Sequence, residues 1–144
     1  MSFGNAASRS VRRVDEAAPC PCGSGDLYGG CCRPLIRGQE APTAERLMRS
    51  RYTAFAIGDA AYLAQSWHPR TRPDDLEIDP DLRWTGLEIV DAQAGGEGDT
   101  VGVVEFRARW EQGAGASSTA GMLHERSRFV RVRGRWCYLD GDVG

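Results

Sequence analysis

The residues of this sequence best suited to chemistry are four cysteines within thirteen positions, Cys20, Cys22, Cys31 and Cys32. They form a Cys-x-Cys pair and a Cys-Cys pair with eight residues between them. A chain reversal across that interval brings four thiolates to one point, and four thiolates at tetrahedral corners are a donor set of zinc. Gly23, Gly25, Gly29 and Gly30 allow the positive φ angles and close backbone approach of such a loop. Disulfides are one alternative, but the crowded spacings suit bridge geometry poorly and a reducing cytoplasm disfavours them. A redox thiol site and an iron–sulfur cluster are the others, and ligand count and spacing favour zinc over all three. A zinc held by four thiolates has no open position for water, so the site reads as structural rather than catalytic. Its net charge of about −2 needs an offset. Backbone amides after Cys22 and the side chains of Arg33 and Arg37 stand near enough in sequence to supply it.

The remaining reactive residues are sparse. His68 and His124 are the two histidines, and neither belongs to a recognisable triad. His68 reads as a turn residue bonding local backbone and His124 as an exposed strand position, ahead of a general-base role for either. Glu125, on a strand facing a helical layer, needs a cation if it is to be buried, and Arg51 is the partner the sequence offers. Cys137, between Trp136 and Tyr138, reads as a small apolar strand residue. Trp67, Trp84, Trp110 and Trp136 read as core or cavity-lining residues, because no basic stripe accompanies them as a base-stacking surface requires. No catalytic signature is legible, and the sequence points to a binding protein ahead of an enzyme.

The elements that position these groups follow from length and pattern. A chain of 144 residues has room for one compact domain and a small appendage too short to bury much apolar surface alone. A net charge of −2, and five arginines against four acids in residues 1–41, argue against nucleic-acid binding, which needs more positive charge. All 18 basic residues are arginine, which removes lysine chemistry. Residues 1–18 read as a flexible N-terminus without the apolar run of a signal peptide. No stretch of about 18 apolar residues suggests a membrane span, and the expected location is cytoplasmic. Pro34 to Pro42 reads as a connector. Thr43 is placed to cap a helix running to Ile57, stopped by Gly58, with Ala44, Leu47, Met48, Tyr52 and Phe55 on its apolar face and Arg46, Arg49 and Ser50 away from it. Asp59 caps a shorter helix ending before His68-Pro69. After a proline- and acid-rich loop from Arg70 to Pro80, period-2 alternation predicts strands over Leu82–Ala92, Thr100–Glu111, Gly121–Arg133 and Arg135–Asp140.

The run Cys-Pro-Cys-Gly-Ser-Gly from Cys20, followed by Tyr28 and Cys31-Cys32, resembles the SEC-C zinc motif, named for the tail of the SecA translocation ATPase. There it is a zinc-dependent docking element for a chaperone. Where that family usually carries lysines, this chain has Asp26, Leu27, Gly29 and Gly30. The segments Ala44–Tyr52, Ser66–Pro69, Val104–Arg109 and His124–Phe129 extend the resemblance to the YchJ-like family of bacterial proteins. That resemblance implies an α+β fold: a knuckle over residues 19–37, then a nuclear-transport-factor-two-like domain over 42–141, with helices packed on a curved antiparallel sheet as a cone. The leading expectation is a binding or adaptor protein with a structural zinc, its knuckle a structural or docking module for a protein partner; the alternative is a small-molecule binder or enzyme using the cone, for which Arg51, Trp67, His68 and Glu125 are the pocket residues the sequence offers. A role needing two knuckles would require a homodimer.

Overall fold

A computed structural model describes residues 11–144. Three helices come first, α1 (Cys32–Ile36), α2 (Ala44–Ile57) and α3 (Ala60–Gln65). Four strands follow, β1 (Leu82–Ala94), β2 (Val101–Gln112), β3 (Thr119–Val132) and β4 (Arg135–Val143). The helix ends follow from local chemistry. The Thr43 hydroxyl accepts the Arg46 amide at 3.1 Å, satisfying one of the donors that a first helical turn leaves unpaired. Gly58 ends α2 at φ 83°, a left-handed conformation that glycine adopts without steric cost. Asp59 accepts the Tyr62 amide at 3.0 Å and starts α3. The expected connector from Pro34 is helical at its start, because Pro34 stands in the first turn of α1, where a missing N–H loses no helical bond.

The sheet is an antiparallel meander in the order β1-β2-β3-β4. Its strands run one to three residues beyond the predicted ends at several points, since alternation fades where side chains reach solvent at a hairpin. Register shifts at Trp84/Gly86 and Ile89/Asp91 in β1 and at Tyr138/Asp140 in β4, opposite Arg128 and Phe129, are bulges that bend the sheet. Val104, Phe106 and Ala108 point at the helices and are buried. Trp110, on the same face, is half-buried with its indole over Gly121. The opposite face carries charge. Arg126 reaches Glu105 at 2.9 Å and Asp91 at 3.4 Å, and Arg128 reaches Asp140 at 2.6 Å and Asp142 at 2.8 Å. Backbone bonds from His68 N–H to Tyr138 O at 2.8 Å and from Tyr138 N–H to Ser66 O at 2.9 Å tie the segment after α3 to the edge of β4.

The core is shared between the two parts of the chain. Cys20, Cys22, Cys31 and Cys32 belong to the same buried cluster as Leu47, Met48, Tyr52, Val104, Phe106, Phe129 and Trp136. The knuckle is therefore built into the domain core and is not an appendage, a correction whose cause is the tertiary packing of α2 against both. Residues 1–10 of the expected flexible N-terminus lie outside the described residues. Residues 11–18 are held: Arg12 N–H donates to Ile57 O at 2.7 Å, and Gly29 and Tyr28 amides donate to Glu16 O and Ala18 O, each at 2.9 Å.

At the β1–β2 hairpin, the Ala44 amide donates to Gly95 O at 2.9 Å. A Cβ at position 102 would stand 2.5 Å from Gly95 Cα and 3.1 Å from Ala44 Cβ. Gly102→Ala therefore forces backbone apart where the hairpin meets α2, with an expected loss of about 1–3 kcal/mol. Urea unfolding should show a lower midpoint at unchanged slope.

Candidate functional site

The four cysteine sulfurs all lie within 4.8 Å of one another, with Cys22 Sγ 3.6 Å from Cys31 Sγ and Cys31 Sγ 4.0 Å from Cys32 Sγ. A disulfide would need about 2.05 Å. A tetrahedral ion with bonds of about 2.3 Å to sulfur needs edges of about 3.8 Å, so the donor set fits a metal ion. Turns built by Gly23 and Gly25, at φ 75° and 95°, bring the first pair round. The short helical turn Tyr28–Gly30 and the start of α1 bring the second. Each sulfur-bearing residue is 4% exposed or less. Without a cation such a site cannot hold four negative charges. Hydrogen bonds from Cys20 and Cys32 hold the Cys22 thiol far below its ordinary value. Burial raises Cys31 to about 11. Hydrogen bonds to Cys20 and Cys22, with burial, push Cys32 well up.

The positive charge around the cluster comes from α2. Arg49 Nη1 donates to Cys22 O at 3.0 Å and stands 4.0 Å from Cys22 Sγ, while Arg46 Nη2 donates to Cys31 O at 3.2 Å. The Thr53 hydroxyl lies 3.8 Å from Cys20 Sγ and the Ser24 hydroxyl 3.1 Å from Cys31 Sγ. The sequence assigns this role to Arg33, Arg37 and the amides after Cys22. Arg33 instead faces Glu16 at 3.7 Å, and the Gly23 amide is taken by Cys20 O at 3.1 Å, whereas the Ser24 amide does bond the Cys22 thiol as expected. Residues 46, 49 and 53 are spaced three and four apart, one stripe of a helix. Arg46 and Arg49 read in the sequence as lying off the apolar face, but only packing reveals what covers them.

Residues 48, 51, 52 and 55 form the other stripe of α2, and they line a cavity of about 230 Å³. Its walls are apolar, with Met48 and Phe55 from the helix and Trp84, Phe106 and Leu123 from the sheet. Polar groups converge around Tyr138. Arg51, 3% exposed, donates from Nη1 to Leu63 O at 2.9 Å and to Ser66 Oγ at 2.6 Å. Its guanidinium carbon lies 4.8 Å from the Trp67 ring and 4.6 Å from the Tyr138 ring, positions in which ring quadrupoles attract a cation. Burial pulls its pKa down to about 10, so it stays charged at neutral pH. The half-buried Glu125 accepts at Oε2 from Ser127 Oγ at 2.8 Å and from Tyr138 Oη at 2.9 Å. Beside its carboxylate, β4 carries Gly141, where a Cβ would collide with it.

Three of the four pocket residues expected from the sequence, Arg51, Trp67 and Glu125, thus line one cavity. The direct Arg51–Glu125 pairing does not form, because Arg51 is engaged by the end of α3 and Glu125 by its sheet neighbours. His68 is not on the cavity wall. Its Nδ1 accepts the Arg70 amide at 3.0 Å, the local turn bond its position suggests. His124 lies on the charged outer face, with Nε2 2.6 Å from Glu105 Oε2. Cys137 is half-buried rather than in the core, and burial raises its thiol pKa. Sequence reasoning missed Ser127 and Tyr138; their alternation with Glu125 and Trp136 on the helix-facing side of β3 and β4 was the available signal. Among the described residues, no helix is long and apolar enough to cross a membrane.

Comparison with known proteins places these features in one lineage. Residues 43–141 match the family model for the middle, NTF2-like domain of YchJ. A UPF0225 protein of Streptomyces coelicolor is 54% identical over 125 residues, covering 86% of this chain and 94% of that protein. The solution structure of a SEC-C motif containing protein from Rhodopseudomonas palustris superposes with a TM-score of 0.71 at 36% identity, covering 87% of this chain and 98% of the other. The crystal structure of a SEC-C motif containing protein from Psychrobacter arcticus gives a TM-score of 0.68 at 28% identity, over 90% and 84% of the two chains. With its cysteine cluster, its four-stranded antiparallel sheet and these relatives, the chain belongs to the YchJ-like, UPF0225 family.

Proposed function

We propose that this protein binds a small molecule in the cavity between α2 and the sheet, and that a structural zinc holds α2 in place. The observation that carries the reading is the meeting of apolar walls with a buried, charged Arg51 and with Glu125 in a single cavity. A few fixed polar groups in an otherwise apolar concavity are the usual composition of a ligand site. If burial of apolar surface were the sole purpose of this region, a charged guanidinium 3% exposed would be a costly way to fill it. On this reading zinc acts through α2: Arg46, Arg49 and Thr53 face the cysteines while Met48, Arg51 and Tyr52 face the ligand.

Metal analysis of protein purified without added zinc should give one zinc per chain; iron or a substoichiometric metal content would overturn the zinc assignment. Thermal denaturation across a panel of small metabolites tests the cavity. Stabilising compounds should lose their effect on Leu123→Trp, which fills the wall. Shifts that persist unchanged in that variant would place binding elsewhere and end the proposal.

Docking of a protein on the knuckle has one observation in its favour, the large apolar side chain of Leu27, 53% exposed. Leu27→Glu should then lose partners in a pull-down while retaining metal and fold. Identical partner sets for both proteins would remove this second role.

A further inference from the structure

The two charges on the cavity wall narrow the class of ligand. Resting on the proposal that the cavity is a ligand site, we infer that it takes a zwitterion, an amino acid with an apolar side chain, its carboxylate on Arg51 and its ammonium on Glu125.

Size comes first. A volume of 230 Å³ equals on the order of eight waters of liquid, and it falls below the range of about 300–1,000 Å³ typical of larger ligands. One amino acid fits; a nucleotide does not. The hydrogen-bonding capacity of the wall is next. Arg51 spends Nη1 on Leu63 O and Ser66 Oγ, while its Nε and Nη2 have no acceptor among the described residues. Two rings hold the guanidinium in place, so these donors are preorganised for the paired oxygens of a carboxylate. Glu125 shows the complementary pattern. Both of its donors, Ser127 and Tyr138, fall on Oε2, and Oε1 has no donor among the described residues.

Charge then decides between ligand classes. An anion bound at Arg51 sets its charge near Glu125, and a cation bound at Glu125 sets its charge near Arg51. Like charges brought together in a partly dry site are costly. A molecule carrying both signs leaves neither wall charge uncompensated, and its side chain takes the apolar surface of Phe55, Trp84 and Phe106.

Calorimetric titration of the full-length, metal-loaded protein tests this with L-leucine and L-phenylalanine as probes. Their counterparts lacking one group are 4-methylpentanoate and 3-phenylpropanoate (no ammonium), and isopentylamine and 2-phenylethylamine (no carboxylate). Benzyl alcohol serves as a neutral probe. At least one amino acid should bind at least tenfold more tightly than both of its counterparts. Glu125→Gln should weaken the amino acid at least tenfold and narrow its lead over the carboxylate. Arg51→Met keeps the apolar stem and should abolish binding while the protein remains folded; if it does not fold, Glu125→Gln and the analogues decide the matter. A carboxylate or amine that equals its amino acid overturns the zwitterion while leaving the cavity as a ligand site. Binding of benzyl alcohol alone does the same. No binding by any probe, the neutral one included, overturns both.

Discussion

Cys22→Ser, or removal of the metal by a chelator, is expected to unfold the whole described domain, sheet included. Cys22 is 0% exposed and 3.6 Å from Cys31 Sγ, in the core that also holds Leu47, Met48 and Phe129. Structural zinc sites in small peptides supply about 10–16 kcal/mol of apparent binding free energy at neutral pH, against a total stability of about 5–15 kcal/mol for a domain. Even a third of that binding energy is a large fraction of the total. The effect should reach the sheet, because emptying the site leaves several thiols packed against α2 inside the core that the cysteines share with Val104, Phe106 and Phe129. All four tryptophans lie outside the cysteine loop, and three of them, Trp84, Trp110 and Trp136, are in strands, so tryptophan fluorescence reports on the sheet. A chelated protein with native fluorescence and a cooperative thermal transition at the original temperature would show the knuckle to be dispensable. Acid acts in the same direction, since protons compete with metal for thiolates.

Phe129→Ala carries the second large effect, from the opposite side of the core. Phe129 is 0% exposed, and its ring meets Tyr138 edge-on at 5.7 Å between centroids. Truncation of a buried phenylalanine costs about 3–5 kcal/mol, which for a domain of this size lowers Tm by on the order of 10 °C or more. Because Phe129 and the cysteines share one buried cluster, the denaturant midpoint for metal release, read with a chromophoric chelator, should fall together with the midpoint for tryptophan fluorescence. Separated midpoints would mean that knuckle and sheet unfold independently.

How much of this was legible depended on whether the cause was local. Thr43, Gly58 and Asp59 act on backbone groups within a few residues, and the alternation of Val104, Phe106 and Ala108 is a property of one strand, so helix ends and sheet could be read directly. The cysteine ligand set was legible from spacing for the same reason. Ser50 was not: it reads as solvent-facing on the apolar pattern of α2, yet it is 0% exposed and its hydroxyl lies 2.7 Å from Tyr62 Oη. That face is covered by α3, and a helical wheel does not show a neighbour. The same limit applies to Arg46 and Arg49, which look like surface charge and serve the cysteine cluster. The need of Glu125 for polar company was readable, but its suppliers Ser127 and Tyr138 depend on the β3–β4 register. The cavity itself is walled by α2, the segment after α3 and all four strands together, and no single element's residue pattern shows how they meet.

The placement of the cysteines against α2 has a consequence for the order of events at the ribosome. The four thiols emerge first, but Arg49 stands 27 residues after Cys22 and Thr53 stands 33 residues after Cys20. Until that stretch has left the exit tunnel, the nascent chain presents a bare cluster of thiols lacking the guanidinium and hydroxyl groups that complete their surroundings. The interval between emergence of the cysteines and emergence of α2 is the period when this chain is most open to oxidation.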